Sequence, residues 1–522
     1  MRTHAVLLIM AVAAAVLVGP AVAAPAANAV VYPIVADPTF NPWHPRAFVE
    51  SIFPNRVIYN GLTKPGKNLQ PAPDLAERWE VSRDGLTWTF FLRRNVRWHD
   101  GAEFTAEDVK FTYGIVTDPK LAAQGAPNFR VIKETQVVDK YTVRFVLNTP
   151  SASLATFMGT NAGIIPKHAF EGVADPWSHD AFNKRQPIGT GAFKVGQYVP
   201  GSHVTLVRND QYFLGRPQLD SITFKVLPDA NTQIAQLISG DLTLIMVDNP
   251  ASARALQGRS DIVVSTVLQT NFYWLAVNHT IPWLADVRVK QAMMYAIDRK
   301  AMINGFLQGY AHEATGIISP ALSFYYRSGV KTYEFDRAKA RQLLAEAGWR
   351  PGPDGILVKD GRQLKFAITY PRVQFFEQLA ALIQQYFRAV GIEVTHDGLE
   401  FNQFVSQRLL PRKYEVMAGW WITPADPDFF NHVHSSNAER GSNIPLYPGK
   451  ESDRLLEQGR AASDPAQRAR VYEQWQRLVA EELPYLYLWW PFEIRAINRR
   501  LSGVSAIGLR DAFQYTNEWS VR

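Results

Sequence analysis

The chain of 522 residues contains no cysteine. That one absence excludes disulfides, thiolate metal sites, cysteine nucleophiles and a lipid-bearing N-terminal cysteine. Long apolar runs are missing as well. The stretch from Ala5 to Val18 falls short of the roughly 20 residues that a hydrocarbon layer of about 30 Å requires, and no later segment offers an uninterrupted span. Nor is charge of one sign gathered anywhere. The formal net charge is +7, but basic residues stand at most two in a row, as at Arg93-Arg94 and Arg499-Arg500, with acidic residues among them. A nucleic-acid binder concentrates positive charge on one face, so no nucleic-acid partner is expected.

Catalytic signatures are equally scarce. Gly-x-Ser-x-Gly does not occur. His312-Glu313 lacks the second histidine of a zinc-protease helix, Gly316 standing in its place. Gly189-Thr190-Gly191 precedes strand-like residues 193–198 and opens no helix, so the amides that would cradle a phosphate are not expected there. His432 and His434 would point the same way in an extended segment. The polar run Ser435-Ser436-Asn437 that follows reads as a loop, and hydrogen-bonded histidines outnumber metal ligands. No catalytic residue, no metal and no cofactor is expected.

What is present suits a soluble globular protein: 47% apolar and 20% charged residues, enough to build sizeable cores. At roughly 150 residues per domain the length suggests about three domains. Arg2, the apolar stretch and the small residues around Ala21-Val22-Ala23 read as a signal peptide over 1–23, with Ala27-Asn28-Ala29 marking cleavage as late as 29. Its removal deletes only Arg2, taking +7 to +6. A periplasmic protein without a lipid anchor is the expectation.

Helix starts are marked at Thr105, whose Asp108 lies three residues on, and at Asp286, Asp336 and Asp464-Pro465. Strands are expected near 87–92, 141–147, 204–208, 222–227 and 262–268 from their β-branched and aromatic content. Residues 364–394 spell strand, amphipathic helix, Gly391 and strand, a β-α-β unit that implies parallel pairing. A helical segment over 402–410 then leads into a strand over 414–420. Ligands of open α/β sheets sit beyond the carboxyl ends of such strands, where the loop 420–428 falls.

Several motifs occur in a fixed order. Leu69-Gln70-Pro71-Ala72-Pro73-Asp74-Leu75-Ala76-Glu77-Arg78-Trp79 leads to Asp84-Gly85-Leu86-Thr87-Trp88 and Val96-Arg97-Trp98-His99-Asp100-Gly101. Pro187-Ile188-Gly189-Thr190-Gly191, Asp286-Val287-Arg288-Val289, Ala296-Ile297-Asp298-Arg299, Asp426-Pro427-Asp428 and Leu483-Pro484-Tyr485 follow. In that order they resemble the family 5 extracellular solute-binding proteins, which include oligopeptide-, dipeptide- and nickel-binding components of ABC importers. The resemblance covers nearly all of the mature chain. It implies an α/β, two-lobed fold of the periplasmic-binding-protein type II kind, with an extra subdomain inserted in the first lobe. The first lobe would comprise 30–71, 187–273 and 491–522, the insert 72–186 and the second lobe 274–490.

Function and site follow as expectations of the same resemblance. A monomer would close its lobes around a small molecule or short peptide and deliver it to permease subunits in the membrane. Asp37, Pro38 and Thr39 would line the first-lobe edge of the cleft, and Asn271 and Phe272 would sit beside the hinge strand. Gly419, Trp420 and Trp421 would form the second-lobe wall, with Thr423 and Asp426 on its loop and Arg408 facing ligand. In oligopeptide-binding members an aspartate at the place of Thr423 pairs with the peptide's ammonium, and an arginine stands at the place of Met417. A neutral hydroxyl cannot supply a charge-assisted bond. Asp426 is the substitute considered for that role, and an oligosaccharide or nickel chelate is the alternative cargo. A secreted hydrolase is the reading from another class.

Overall fold

The computed structural model describes residues 28–522, apart from positions 48, 161–162, 374, 424 and 440. The expected leader, residues 1–23, lies outside the described residues. Strand β1 (Ala29–Ile34) carries mostly β-branched and apolar side chains and is buried along its whole length. Before its sheet is completed, the chain builds a separate antiparallel sheet. This comprises β2 (Ala76–Val81), β3 (Thr87–Leu92), β4 (Ile132–Asp139) and β5 (Thr142–Leu147), in spatial order β2-β3-β5-β4. Trp88, Phe90 and Leu92 alternate inward along β3, as the two-residue period of a strand demands. The helix Ala106–Thr117 packs on this sheet, Tyr113 meeting Phe145 edge-on at 4.9 Å. Its N-terminus is set by Asp108, whose carboxylate accepts the Thr105 backbone N–H at 2.9 Å.

The chain returns to the first sheet with β6 (Phe193–Val199), β7 (His203–Arg208) and β8 (Ser221–Val226), giving the order β1-β8-β7-β6. Gly189 and Gly191 lie at this return. A Cβ on Gly189 would stand 1.9 Å from the Ile58 carbonyl oxygen, and one on Gly191 2.2 Å from that of Val57. Backbone proximity, not phosphate binding, accounts for the pair.

Two short stretches, β9 (Leu244–Met246) and β10 (Ile262–Leu268), precede β11 (Phe272–Val277), which opens the second lobe's sheet. The expected β-α-β unit is β12 (Lys365–Pro371), the helix Phe376–Arg388 and β13 (Glu393–Leu399), paired in parallel from Lys365↔Glu393. Gly391, at φ +88°, turns the chain between helix and strand. Strand β14 (Val416–Trp421) lies between β11 and β12, antiparallel to the first and parallel to the second. Leu379, Ile383 and Phe387 of the helix bury against this sheet with Ile368 and Val394.

One strand joins the lobes. The 14-residue β15 (Tyr485–Asn498) pairs with β11 through Tyr273↔Trp489, then with β10 through Leu268↔Phe492 and with β9. The β10–β11 link, residues 269–271, passes beside it, and the Gln269 N–H donates to Pro491 O at 3.0 Å. Two chain crossings therefore run side by side between the lobes.

The expected helical segment over 402–410 is present as a short helix, Phe401–Phe404, that widens into a π-turn over Val405–Leu409. One local expectation needs correction. Residues 430–433 are helical and not extended, because Asp428 Oδ1 accepts the Phe430 N–H at 3.1 Å and starts a turn. His432 and His434 consequently do not share a strand face. His432 packs on Trp421 at 4.6 Å between ring centroids, and His434 stacks on Phe430 at 3.9 Å.

Candidate functional site

The chain crossings roof a cavity of about 640 Å³. Three features of the sequence build it. In β11 and β15, opposed residues face the same way, so Tyr273 and Trp489 stack with centroids 5.3 Å apart. At the carboxyl end of β12 the chain turns into the helix Phe376–Arg388, bringing Phe375 to 5.4 Å from Tyr273 and Gln378 to the cavity wall. From the first lobe, the segment after β9 contributes Asp248 and Asn249, held in place where the Val247 N–H donates to Ile494 O at 2.9 Å. The lining thus combines aromatic faces with side-chain amides.

Its electrostatics are one-sided. The lining includes two carboxylates, Asp248 and Glu493, and no lysine, arginine or histidine. Glu493 is compensated from outside the cavity: Arg495 Nε donates to it at 2.7 Å and the Leu509 N–H at 2.8 Å. Burial still raises its pKa, with Arg495 opposing. Asp248 is exposed to the cavity, and desolvation by the surrounding wall raises its pKa too. The Tyr273 phenol is pushed up to about 12, first by burial and then by the charge of Asp248.

The residues expected from sequence divide into three groups. Asn271 lines the cavity and also ties down the second-lobe loop, its Oδ1 accepting the Thr423 N–H at 3.0 Å. The Thr270 hydroxyl donates to Thr423 O at 2.9 Å beside it. Trp420 lies directly across from Tyr273, half-buried, with its ring 5.4 Å from Phe376; it borders the aromatic cluster.

The second group faces away from the cavity. Trp421 and Phe272 pair on the other face of the sheet, where Trp421 Nε1 donates to the Tyr485 hydroxyl at 3.1 Å. Adjacent strand residues point to opposite faces, so Trp420 and Trp421 cannot form one wall. Phe272 is fully buried against Phe429 and Tyr485. Gly419 lies under the Trp274 ring, where a Cβ would stand 2.6 Å from it.

The third group is engaged elsewhere. Asp426 is buried and holds Arg468 through two hydrogen bonds, 2.6 and 2.8 Å, so it is not available to a ligand ammonium. Arg408 is held by Asp397 at 2.7 and 3.3 Å. Asp37 accepts the Gly201 N–H at 2.9 Å, Pro38 is buried, and Thr39 bonds Ser51 and Asn55; none of the three lines the cavity. Met417, at the place of the arginine, is fully buried.

Sequence reasoning missed Asp248, Tyr273, Phe375 and Trp489. Period-two alternation from Asn271 would have found Tyr273. Asp248 carries no local signal, since its position matters only once β9 is laid beside β15.

A second cavity, about 590 Å³, opens where the inserted sheet meets the first lobe and is lined by His99, Arg185, Lys194 and Tyr198. His99 fixes that junction: its ring meets Gly191 O at 3.0 Å and Gly189 N at 3.2 Å, and burial lowers its pKa to about 4. Away from both cavities, the inserted subdomain and the second lobe meet in a polar contact. The Ser153 hydroxyl donates to Asp428 at 3.1 Å and the Thr156 hydroxyl to Asp426 at 3.4 Å. Among the described residues no group of three histidine or acidic side chains is arranged to hold a metal ion, and no helix is long and apolar enough to cross a membrane.

Two lobes joined by paired strands, with a cavity at the joint, define a class of proteins that enclose a solute. Residues 70–442 match the bacterial extracellular solute-binding proteins, family 5, and the chain belongs to that family. It is 31% identical over 471 residues to the oligopeptide-binding protein AppA of Bacillus subtilis, covering 89% of this chain and 86% of that one. AppA's structure with a nonapeptide superposes with a TM-score of 0.76 over 95% of this chain and 99% of that one. The dipeptide-binding protein of Escherichia coli is 29% identical over 85% of this chain and 87% of its own. HbpA2 of Haemophilus parasuis, 25% identical, superposes with a TM-score of 0.83 over 95% of this chain and all of that one. The chain is therefore an exported solute-binding protein, and its family is one of carriers rather than enzymes.

Proposed function

We propose that this protein captures peptides between its lobes and hands them to the permease of an ABC importer. The observation that carries the reading is the cavity at the two chain crossings. Its aromatic rings offer apolar area to side chains, and Gln269, Asn271 and Gln378 offer amides to a peptide backbone. The similarity to peptide-binding relatives supports the same reading. The lobes are taken as 30–71 with 187–273 and 491–522 on one side, and 274–490 on the other, with 72–186 as the insert. Of the residues expected from sequence, Asn271 and Trp420 stand on the cavity's side.

Closure would follow from ligand contacts to both lobes, because a solute that touches both binds the closed form better and shifts the population toward it. A cell with an outer membrane would hold the mature chain free in its periplasm, since a chain without cysteine has no site for a lipid anchor. Native mass spectrometry of protein purified without refolding tests the proposal. Peptide masses released on denaturation are the expected result. Co-purified oligosaccharide or a nickel complex, with no peptide binding in titration, would overturn it.

A further inference from the structure

Resting on the reading of peptide capture, we propose that the carboxylate of Asp248 is the counter-ion for the ligand's ammonium group. Four observations converge on it. Among the described residues, no hydrogen bond or ion pair engages this carboxylate, although it stands in the wall of the cavity at the chain crossings. The other carboxylate there, Glu493, already has Arg495. No cationic side chain lines the space, so Asp248 has no counter-ion there. The carboxylate is exposed to the cavity, so a cation entering the space meets it directly.

The surroundings suit an organic cation. Tyr273 and Trp489 present stacked aromatic rings in the same wall, and aromatic faces attract ammonium groups. The position is also firm: Val247 is hydrogen-bonded to β15, and Asn249 caps the following helix by accepting the Ala251 N–H at 2.8 Å. A carboxylate held from both sides loses little freedom on binding. The places sequence offered for this role are closed, Asp426 by Arg468 and Thr423 by being neutral.

The test uses native mass spectrometry and titration calorimetry on the full mature chain and on Asp248→Asn. Three probes are compared: a mixed-sequence tetrapeptide pool, the same pool N-acetylated, and spermidine. The two proteins are expected to melt together, since the substituted group has no internal partner. The expected result is an affinity loss of about ten- to hundredfold on acetylation and a similar loss on substitution. The two losses should not add, so the variant no longer distinguishes the pools. A variant that still prefers free amines overturns the assignment to Asp248 and leaves peptide capture standing. Spermidine binding that vanishes in the variant, in a protein that ignores both pools, upholds the carboxylate's role and overturns peptide capture. Binding of no probe overturns both.

Discussion

Asp426 and Asp248 are the same side chain in two regions of one molecule, and they do opposite work. Asp426 sits where the inserted subdomain meets the second lobe, buried with Arg468 and reached by the Thr156 hydroxyl. Asp248 sits where the chain crosses between lobes, exposed to the cavity and without an internal partner. The first carboxylate is neutralised by folding and is closed to ligand. The second has no partner within the protein and stays open to a cation from outside. A polar seam that is satisfied holds the lobes in register. A polar pocket that is not satisfied is where a solute is recognised.

The contrast can be broken in several ways. Arg468→Ala leaves Asp426 buried and unpaired and should cost about 3–5 kcal/mol in denaturant unfolding; a loss under 1 kcal/mol would mean the seam is not structural. Asp74 tests the same logic at the start of the inserted subdomain. Its burial raises the carboxyl's pKa to about 6, so its protonated form stabilises the fold at low pH and that stability is lost as pH rises through about 6. Asp74→Asn should therefore gain on the wild type between pH 4.5 and 7.5, by up to about 3 kcal/mol for a shift of roughly two units. A gain that runs the other way would show Asn60, which donates to both oxygens at 3.0 Å, to be the stronger influence.

Smaller effects sharpen the picture. Trp421→Phe removes the bond to Tyr485 and should cost about 1 kcal/mol while leaving ligand affinity unchanged, because the ring lies on the face opposite the cavity. An affinity loss would return Trp421 to the site. Asp248→Asn should change thermal stability least of all, by under about 1 kcal/mol, because the carboxylate is exposed and has no internal partner. A large destabilisation would reveal an internal partner and remove the contrast with Asp426.

Much of the architecture was legible before folding. Caps at Thr105, Asp286, Asp336 and Asp464 announced their helices, since a capping side chain acts on amides within three residues of itself. The β-α-β unit was legible from the helical stripe between two short apolar runs. The helix at Phe430–Val433 was not, because its start depends on Asp428 already being oriented by Arg460 and Ser153 from other elements. The candidate site was legible only in part. Asn271 and Trp420 were reached through the resemblance, whereas Trp421 and Asp426 share its motif and face elsewhere.

The amino-acid order by itself determined what is local: absence of thiol chemistry, the helix caps, the alternation that buries one face of each strand, and the family. Which carboxylate stays free was decided only by tertiary structure. Pairing Asp426 with Arg468, 42 residues on, and leaving Asp248 facing Tyr273 and Trp489 are results of strands crossing between lobes. Electrostatic energy depends on distance through space, and the chain brings these groups together or keeps them apart only once it is folded.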